Sequence, residues 1–458
     1  MRIAYLAMSG VRACDPELLR LGLTLPGFVE RSRTIASLPS LGLLTLAAMT
    51  PDGHDQGYHE VDSVDNLSDP VEELLAADAP GGLLVAISTF TAQAPEAYRL
   101  ADRFRAAGVR VVMGGLHVTT RPEEALGHAD AVVIGEGEPV WPGLVADAAA
   151  GRLQPRYDAR GVEWSLGDTP IPRYDLLDLG GDGGRYNRIT VQTTRGCPFA
   201  CEFCASSILL TPRYKQKPVE RVLAEVDAVC ERWPRPFLEF ADDNSFVNRR
   251  WWLRFLPELA KRNARWFTET DARIGDDPEL LAALAAAGCK EVLIGMESPT
   301  AAGLPAMERK ADFKLKALDA GPRRVRAIQS HGIRVNGCFI LGLDGQTPEV
   351  FGQVERMASE LGLFDVQITL QTPFPGTPLY DRLAAAGRLL EPDAWHRCTL
   401  FDLTYEPTPM TADELISGFH GLARSLYTRE ATAARRADFR EQARLGRLAR
   451  RSTTRASA

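Results

Sequence analysis

Two series of alternating strand and helix patterns run along the 458-residue chain, and a segment rich in proline and glycine separates them. In each series, short runs of β-branched and apolar residues are followed by stretches of helical composition. Such alternation builds parallel sheets, because each crossover helix returns the chain to the same edge. A chain of this length is too long for one ordinary core, so we expect two or three domains.

The first series predicts a Rossmann-like, doubly wound α/β domain over residues 1–150. Its strand candidates are Ile3–Leu6, Tyr58–Val61, Leu83–Ser88, Val109–Met113 and Ala131–Ile134. Helical stretches such as Leu41–Ala48 and Ala94–Ala107 lie between them. Ligands of such sheets lie at the carboxyl ends of the strands, so a ligand is expected on the loops that follow them. These loops are Ser88–Gln93, Gly114–Arg121 and Gly135–Pro139.

The second series predicts an open partial (β/α)6 barrel, related to the TIM barrel, over residues 187–380. Its strand candidates are Ile189–Gln192, Phe237–Phe240, Trp266–Thr270, Glu291–Ile294, Val335–Leu341 and Val366–Thr369. Helical composition marks the intervening stretches, for example Val219–Glu231 and Pro278–Ala287. In barrels of this kind the chemistry lies on the loops that follow the strands.

Two further segments complete the predicted organisation. Residues 151–186 contain Pro155, Pro170, Pro172 and the run Gly180–Gly184, which together predict a linker. Residues 381–458 are predicted to be mostly helical, and they end in an arginine-rich tail that begins near Arg435. We interpret this tail as a solvated helix that frays into a disordered end, in preference to a surface for an anionic partner.

Composition and charge argue against several classes of protein. The formal net charge is −7, so no global basic field indicates nucleic-acid binding. No stretch approaches about eighteen uninterrupted apolar residues, so we expect no transmembrane segment. The sequence therefore predicts a cytoplasmic enzyme that acts on a small-molecule substrate.

Three of the eight cysteines lie close together, directly after the first predicted strand of the barrel. They are Cys197, Cys201 and Cys204. Cysteine thiolates hold iron–sulfur clusters, and three ligands to a four-iron cluster leave one iron open for a ligand from outside the protein. A structural zinc site normally needs four protein ligands, and the next cysteine along the chain is Cys230. We therefore favour an open [4Fe–4S] cluster over zinc.

This C-x3-C-x2-C motif, on the first strand–loop junction of a partial barrel, resembles the signature of the radical S-adenosylmethionine (SAM) superfamily. The resemblance implies that SAM binds the open iron through its amino and carboxylate groups. It also implies that an external electron donor of flavodoxin or ferredoxin type reduces the cluster. SAM is then cleaved to a 5′-deoxyadenosyl radical that abstracts a hydrogen atom, and the barrel positions and shields this chemistry.

Later strand ends resemble SAM-binding segments of the same superfamily. Asp242 and Asp243 end the second strand, where carboxylates are available for the SAM ammonium group. Gly295-Met296-Glu297-Ser298 ends the fourth strand and resembles the superfamily's G-x-E-S segment. Ile340–Gly345 ends the fifth strand and resembles its I-L-G-L-P-G segment, with Asp344 in place of the usual proline. The SAM-binding residues that the resemblance implies are Phe203, Asp242, Asp243, Glu269, Arg273, Glu297, Ser298, Leu341 and Gln371.

The first domain resembles the cobalamin-binding domains that precede radical SAM barrels. The matching segments are Pro39–Leu44, Gly114–Thr119 and Asp130–Glu138. Glycines at strand ends let a flat macrocycle and its nucleotide tail approach the backbone. The cobalamin-binding residues that the resemblance implies are Ser88, Thr89, Phe90, Thr91, Gly114, Gly115, His117, Gly135, Glu136, Gly137 and Glu138.

The segment Asp52–Gly57 fits D-x-H-x-x-G, a signature in which the histidine binds cobalt from below. That signature follows the first strand of a cobalamin domain, at the ligand edge of the sheet. Here the first strand ends near Met8, and the motif lies between a predicted helix and the second strand, at the opposite edge. We interpret it as a helix-to-strand turn, so cobalamin is expected to lack a histidine ligand from the protein. The loop Ser88–Gln93 is then expected to line the face below cobalt.

The remaining cysteines give no second cluster motif. Cys289 and Cys338 lie in apolar strand contexts, and we interpret both as core residues. Only Cys14 precedes Cys197, which disfavours a methylthiotransferase, because the N-terminal domain of that class carries three cysteines for a second cluster. Cys14 lies on the loop after the first strand, and we interpret it as a structural or incidental thiol in preference to a residue near cobalamin.

The combined resemblance implies a cobalamin-dependent radical SAM methyltransferase that acts on an unactivated carbon. The stretch from Pro170 to Cys204 is most similar to the branch that contains hopanoid methylases, which indicates a lipid or secondary-metabolite substrate. The alternative is a radical SAM enzyme of the same architecture that catalyses a rearrangement, cyclisation or oxidation, because a fold does not fix a function. A non-enzymatic cobalamin or redox sensor is disfavoured by the acidic loops after the second and fourth barrel strands.

Overall fold

The computed structural model describes most of the chain. The described residues are 1–8, 10–21, 24–25, 38–61, 70–77, 79–178, 186, 188–199, 201–206, 211, 213–233, 235–304 and 318–456. The run Gly180–Gly184, on which part of the predicted linker rests, lies outside them. Within the described part, no helix combines the length and the apolar character that a bilayer crossing requires.

The N-terminal sheet has six parallel strands. They are β1 (Arg2–Met8), β2 (Asp55–Val61), β3 (Leu83–Ser88), β4 (Arg110–Gly114), β5 (Ala131–Ile134) and β6 (Arg156–Asp158). Their order across the sheet is β2-β1-β3-β4-β5-β6, so β1 and β3 are neighbours and the direction of winding changes there. The predicted doubly wound fold is confirmed, and its ligand edge is the carboxyl edge of these strands.

Both faces of this sheet are buried, as a parallel sheet requires. Alternate residues of β1 show this. Ala4 and Leu6 pack with the helices Pro70–Ala76 and Ala94–Ala106, whereas Ile3 and Tyr5 pack with the helices Leu41–Met49 and Trp141–Ala149. The helices of this domain are α1 (Pro16–Arg20), α2 (Leu41–Met49), α3 (Pro70–Ala76), α4 (Ala94–Ala106), α5 (Leu116–Thr120), α6 (Pro122–His128) and α7 (Trp141–Ala149). The helices cover both faces of the sheet, so the connecting loops lie at the ends of the strands.

The predicted linker contains structure that the sequence pattern did not reveal. Its residues Arg156–Asp158 form β6, which pairs with β5 and extends the first sheet beyond residue 150. Further on, Tyr174 is buried in the core of the barrel, and its hydroxyl donates a hydrogen bond to the carbonyl oxygen of Thr190 at 2.9 Å. The segment therefore packs on both domains as it passes between them.

The second sheet has six parallel strands that follow one another in chain order. They are β7 (Ile189–Val191), β8 (Phe237–Phe240), β9 (Arg265–Thr270), β10 (Cys289–Glu297), β11 (Arg334–Leu341) and β12 (Asp365–Leu370). The helices between and after them are α8 (Val219–Arg232), α9 (Arg249–Ala260), α10 (Pro278–Ala286), α11 (Gly321–Ser330), α12 (Glu349–Glu360) and α13 (Pro378–Ala385). This consecutive order, with β7 and β12 at the two edges, is the predicted open partial barrel.

The helices of the barrel bury one apolar face each against the outer face of the strands. In α9, Trp252 and Phe255 are fully buried, and the Trp252 ring stacks on that of Trp266 in β9 at a centroid distance of 5.9 Å. Side chains on the other face of each strand point inward, because successive residues of a strand alternate between faces. The inner face is thus left for the site.

The C-terminal segment ends in two helices, α14 (Ala412–Leu426) and α15 (Arg429–Ala456). The prediction of a solvated, fraying tail is wrong for one face of α15, which packs along α11 and β12. Arg435 is buried and donates to the carbonyl oxygen of Leu426 at 2.9 Å, and Arg436 pairs with Asp365 at 3.1 Å. These arginines are tertiary contacts, which the charge pattern alone could not distinguish from solvated residues.

Replacing Gly446 with alanine tests the docking of α15. A Cβ atom at this position would overlap the carbonyl oxygen of Ser330 in α11. We expect Gly446→Ala to lower the free energy of unfolding by about 1–3 kcal/mol, as overpacking does, measured by thermal unfolding. The matched control is Gly421→Ala in α14, where a Cβ meets no atom within 4 Å. The control should gain about 0.5–1 kcal/mol, and equal effects of the two variants would contradict the docking.

Candidate functional site

The inner face of the partial barrel encloses a cavity of about 390 Å³, which is large enough for a small molecule. Residues at alternate positions of the last three strands line it. They are Leu293, Gly295 and Glu297 from β10, Cys338 and Ile340 from β11, and Gln367, Thr369 and Gln371 from β12 and its end. Ile294, Phe339 and Ile368 lie between them and pack outward into the core. The cavity therefore follows from the alternation of side chains along the strands.

The loop after β7 brings the three predicted cluster cysteines to this cavity. They are Cys197, Cys201 and Cys204. A short antiparallel ladder, Thr194–Arg195 with Lys215–Gln216, joins the two ends of the loop. Gly196 has a φ of 81°, and a Cβ there would lie 2.6 Å from the carbonyl oxygen of Arg213. Only glycine fits this close approach without strain, and it sets the direction in which the cysteine segment leaves the ladder.

Asp242 and Asp243 at the end of β8 hold this loop. Asp242 is buried and accepts hydrogen bonds from the backbone N–H groups of Thr193 and Thr194, both at 2.8 Å. Asp243 accepts a bond from the backbone N–H of Gly196 at 2.8 Å and also borders the cavity. The structure therefore brings Asp243, but not Asp242, to the predicted SAM site.

The set of donor atoms fits a cluster better than a single metal ion. Within the described residues, no three histidine, cysteine, aspartate or glutamate side chains converge on a position that one ion could occupy. Thiolates that bind different irons of a cluster need not converge on one point. Burial raises the pKa of the Cys197 thiol to about 11, so cluster binding at neutral pH would release a proton from it. The role of the three cysteines as cluster ligands stays a prediction.

Five of the predicted SAM-binding residues border the cavity. They are Phe203, Asp243, Glu269, Glu297 and Gln371. The side-chain oxygen of Gln371 is buried and accepts no hydrogen bond from the described residues, a state that is costly without a bound donor. Glu297 has a φ of 60°, at the point where the register of β10 and β11 shifts. Backbone strain of this kind is concentrated at functional sites, and both features fit a polar ligand such as SAM.

Three other predicted SAM-binding residues lie away from the cavity. Arg273 pairs with Asp271 through hydrogen bonds of 2.8 and 2.6 Å, and its guanidinium lies 4.9 Å from the ring centroid of Phe199. Ser298 is buried, and Leu341 is fully buried in the core. The structure instead places Asp271 and Phe199, the partners of Arg273, on the wall of the cavity.

Glu269 is the most strongly perturbed group at the cavity. Burial raises its pKa to about 8, and the neighbouring carboxylates Glu239, Asp243 and Asp242 contribute to the increase. The Glu269 side chain is exposed to the open cavity that it borders, so water there screens much of this effect. No lysine, arginine or histidine lines the cavity among the residues that the structure describes. A cationic ligand would therefore meet one carboxylate, that of Glu269, with no cation beside it among the described residues.

We expect Glu269→Gln to stabilise the cofactor-free protein at alkaline pH. A carboxyl with a raised pKa in the folded state loses stability as the pH rises from 4.5 to about 8. Glutamine removes this loss. After allowance for screening by water, we expect the free energy of unfolding at about pH 9 to rise by about 1 kcal/mol. Thermal unfolding at about pH 5 and about pH 9 measures it, with little difference expected at the lower value. A difference between the two proteins that did not depend on pH would contradict the raised pKa.

The loops at the carboxyl edge of the first sheet, where cobalamin is predicted, pack on one another. The backbone N–H of Thr89 donates to the carbonyl oxygen of Gly114 at 3.2 Å. Gly115 has a φ of 105°, and a Cβ there would lie 2.6 Å from the carbonyl oxygen of Thr89. The Phe90 side chain is 55% exposed at this edge, so an apolar surface is available to a flat macrocycle. Of the other predicted residues here, Ser88 and Gly137 are half-buried, and Thr91 and Gly135 are buried.

Three predicted cobalamin-binding residues also make protein contacts between the domains, and their role at cobalamin stays a prediction. Glu136 and Glu138 form ion pairs with Arg195 at 2.8 and 2.7 Å. The His117 ring is fully buried 5.2 Å from the ring of Trp395, and burial lowers its pKa. Neither ring nitrogen of this histidine has a hydrogen-bond partner within the described residues. His117 therefore packs against the C-terminal segment, with its Nε2 atom 3.6 Å from a carboxylate oxygen of Glu124.

The D-x-H-x-x-G segment is a turn, as predicted. Gly53, with a φ of 88°, lies in the turn between α2 and β2. His54 directly precedes Asp55, which is paired with Arg2 at the start of β1. His54 therefore lies at the amino edge of the sheet, opposite the loops that follow the strands.

The polar stripe along β12 was not predicted from the sequence. Gln367 and Thr369 line the cavity and alternate with buried apolar residues within Asp365–Leu370. That two-residue period was a readable signal. The interpretation of Cys338 as a core residue is wrong, because it faces the cavity, whereas Cys289 is buried in the core as predicted.

Comparison with known families agrees with this geometry. Residues 191–358 match the radical SAM superfamily, and residues 36–145 match the B12 binding domain. Residues 377–457 match a domain of unknown function, DUF4070. These matches imply a [4Fe–4S] cluster, SAM and cobalamin as the cofactors.

Individual relatives cover most of the chain. The bacteriochlorophyllide d C-12(1)-methyltransferase of Chlorobaculum tepidum is 27% identical over 81% of this chain and 80% of its own length. The hopanoid C-2 methylase of Rhodopseudomonas palustris is 28% identical over 78% of this chain and 66% of its own length. The structure of the radical SAM methyltransferase TsrM from Kitasatospora setae matches the fold with a TM-score of 0.69 at 17% identity, over 94% of this chain and 90% of that one. The chain is thus a radical SAM enzyme with an N-terminal B12-binding domain, related to the cobalamin-dependent methyltransferases.

Proposed function

We propose that this enzyme transfers a methyl group to an unactivated carbon of a lipid or secondary-metabolite substrate. The observation that carries the proposal is the joint placement of two sites. Three cysteines border a cavity inside the barrel, and both ends of their loop contact the carboxyl edge of the first sheet through Glu136. This arrangement suits a reaction in which one substrate must reach the cluster and cobalamin in turn.

The residues at the cavity have distinct proposed tasks. The three cysteines would hold the cluster, Glu269 would face the positive charge of SAM, and the oxygen of Gln371 would accept a hydrogen bond from it. When bound, the cluster and SAM supply a hydrogen-abstracting radical, and cobalamin supplies a methyl carrier. The ionised carboxyl of Glu269 is favoured by the cationic ligand, because an opposite charge nearby lowers a raised pKa.

Apolar side chains on the cavity wall would exclude water from the reacting groups. They are Leu293, Ile340, Leu370, Phe374 and Leu400. Leu400 belongs to the segment that follows the barrel, and its carbonyl oxygen accepts a hydrogen bond from the backbone N–H of Leu370 at 2.7 Å. Expulsion of water protects a reactive intermediate from side reactions, so this segment would complete the cavity as a cover.

The substrate class is supported by the relatives. The two named above act, according to their names, on a bacteriochlorophyllide and on hopanoids. We infer a substrate of the same general kind, a large and mostly apolar ring system. In this proposal residues 1–150 bind cobalamin, residues 187–380 bind the cluster and SAM, residues 151–186 connect them, and residues 381–458 cover the site. A flavodoxin- or ferredoxin-type protein would supply the electron.

Cleavage of SAM tests the enzyme assignment. After anaerobic reconstitution with iron and sulfide, the wild type should form 5′-deoxyadenosine from SAM and a reductant, and Cys201→Ala should form none. Cys289→Ala is the matched control, because Cys289 is buried in the core and does not line the cavity. Loss of the product in the control as well would show that the effect of Cys201→Ala comes from damage to the fold.

SAM labelled in its methyl group separates methylation from the alternative reactions. With bacteriochlorophyllide d or a hopanoid as the test substrate, methylation adds one labelled methyl group, detected by the mass of the product. A product without the label, formed together with 5′-deoxyadenosine, would favour a rearrangement, cyclisation or oxidation instead. A reconstituted protein whose visible spectrum never acquires cobalamin bands would also contradict methylation.

A further inference from the structure

Glu136 and Glu138, on the loop after β5, reach across to the barrel domain. One oxygen of Glu136 accepts a hydrogen bond from Arg195 at 2.8 Å, and its other oxygen accepts one from the ammonium group of Lys215. Glu138 accepts a bond from the same guanidinium at 2.7 Å, and the side chain of Gln192 accepts another at 3.0 Å. Two carboxylates and two cations thus form one network between the domains.

The two cations lie at the two ends of the cysteine loop. Arg195 precedes Cys197 by two residues, and Lys215 begins the strand that closes the loop behind Cys204. Glu136 therefore holds both ends through its two oxygens. We propose that Glu136 and Glu138 are positioning residues that couple the cobalamin loop to the cluster loop, and that they are not direct ligands of cobalamin.

The burial of the network argues against an incidental contact. The side chains of Glu136, Glu138 and Arg195 are 11%, 6% and 16% exposed. The ion pair of Asp158 with Arg160, near the carboxyl edge of the same sheet, is 40% and 61% exposed. Exposed pairs of that kind contribute little to stability, whereas removal of one partner from a buried pair leaves a charge without compensation.

The geometry of Arg195 makes it the centre of the network. A guanidinium presents its donors in a fixed planar fork, so it can bind two carboxylates at defined angles, which an ammonium group cannot do. Burial would raise the pKa of Glu138, but Arg195 holds it below its ordinary value. Each oxygen of Glu136 accepts a hydrogen bond from a cation, and Arg195 occupies one oxygen of Glu138, so both glutamates already have protein partners.

A coupling between two sites acts in both directions. If the network transmits it, a change in the barrel domain at Arg195 must alter cobalamin binding, and a change in the first domain at Glu138 must alter the cluster. If Glu138 only contacted cobalamin directly, a change at Arg195 would not be expected to alter cobalamin binding. The inference depends on the two cofactors and not on methylation, so it can fail while the proposed function stands.

Two binding measurements on the full chain test the coupling. Hydroxocobalamin affinity is measured by visible titration of the cluster-loaded protein, and cluster stability by the rate at which a chelator removes iron, with and without hydroxocobalamin. In the wild type we expect hydroxocobalamin to slow iron loss about tenfold, a typical size for coupling between sites. Glu138→Gln should abolish most of this protection. Arg195→Gln should weaken hydroxocobalamin binding about tenfold, and the double variant should be no worse than either single variant.

Controls separate positioning from folding and from direct contact. Asp158→Asn removes the exposed pair near the same edge and should leave both measurements unchanged. Arg195→Lys keeps the positive charge but lacks the planar fork of donors. Relative to Arg195→Gln, it should restore part of the protection against iron loss. It should also restore the wild-type electron paramagnetic resonance spectrum of the reduced cluster. If a buried variant fails to fold, Lys215→Gln provides the same test at the other end of the loop. Wild-type hydroxocobalamin affinity in Arg195→Gln, with reduced affinity in Glu138→Gln, would overturn the proposal and make Glu138 a direct ligand.

Discussion

The site depends on hydrogen bonds between the backbone N–H groups of the cysteine loop and two aspartate side chains. The loop belongs to neither large sheet, and its buried N–H groups need partners. Asp242 provides them for Thr193 and Thr194, and Asp243 provides one for Gly196. These aspartates can do so because β7 and β8 are parallel neighbours, so both strands end at the same edge. The position of the thiols thus follows from two acids at one strand end.

The inner face of the barrel also carries acids whose partners decide their role. Most closed barrels fill their interior with branched apolar residues, but here acids and amides occupy inward positions on several strands. Deeper in the barrel, Glu239 is paired with Arg188 at 3.0 Å, and that guanidinium lies 4.5 Å from the ring centroid of Phe267. Nearer the cysteine loop, Glu269 has no cation beside it in the described part of the chain. The carboxylate without a cation beside it thus lies where a cationic cofactor is expected.

The strands and most helices could be predicted from sequence because apolar periodicity reports burial directly. The prediction failed where tertiary contact decides the outcome. Arg156–Asp158 has no apolar pattern and becomes a strand only because the edge of β5 is available to it. The helix α15 has a strongly charged surface, yet Arg435 is buried and donates a hydrogen bond to the carbonyl oxygen of Leu426. In both cases the partner that creates the structure is distant in sequence and has no local signature.

The site residues show a second limit of prediction from sequence, which comes from the chemistry of carboxylates. The same oxygen atoms can accept a bond from a peptide N–H, a guanidinium or the ammonium group of SAM, so a motif does not reveal which donor its acid meets. Asp242 meets peptide groups and Glu138 meets Arg195, although both belong to segments that resemble cofactor-binding motifs. The acids of such segments can hold a cofactor-binding loop in place without contacting the cofactor. We therefore expect the acids that bind a cofactor to be those, like Glu269, that have no cation beside them in the described part of the chain.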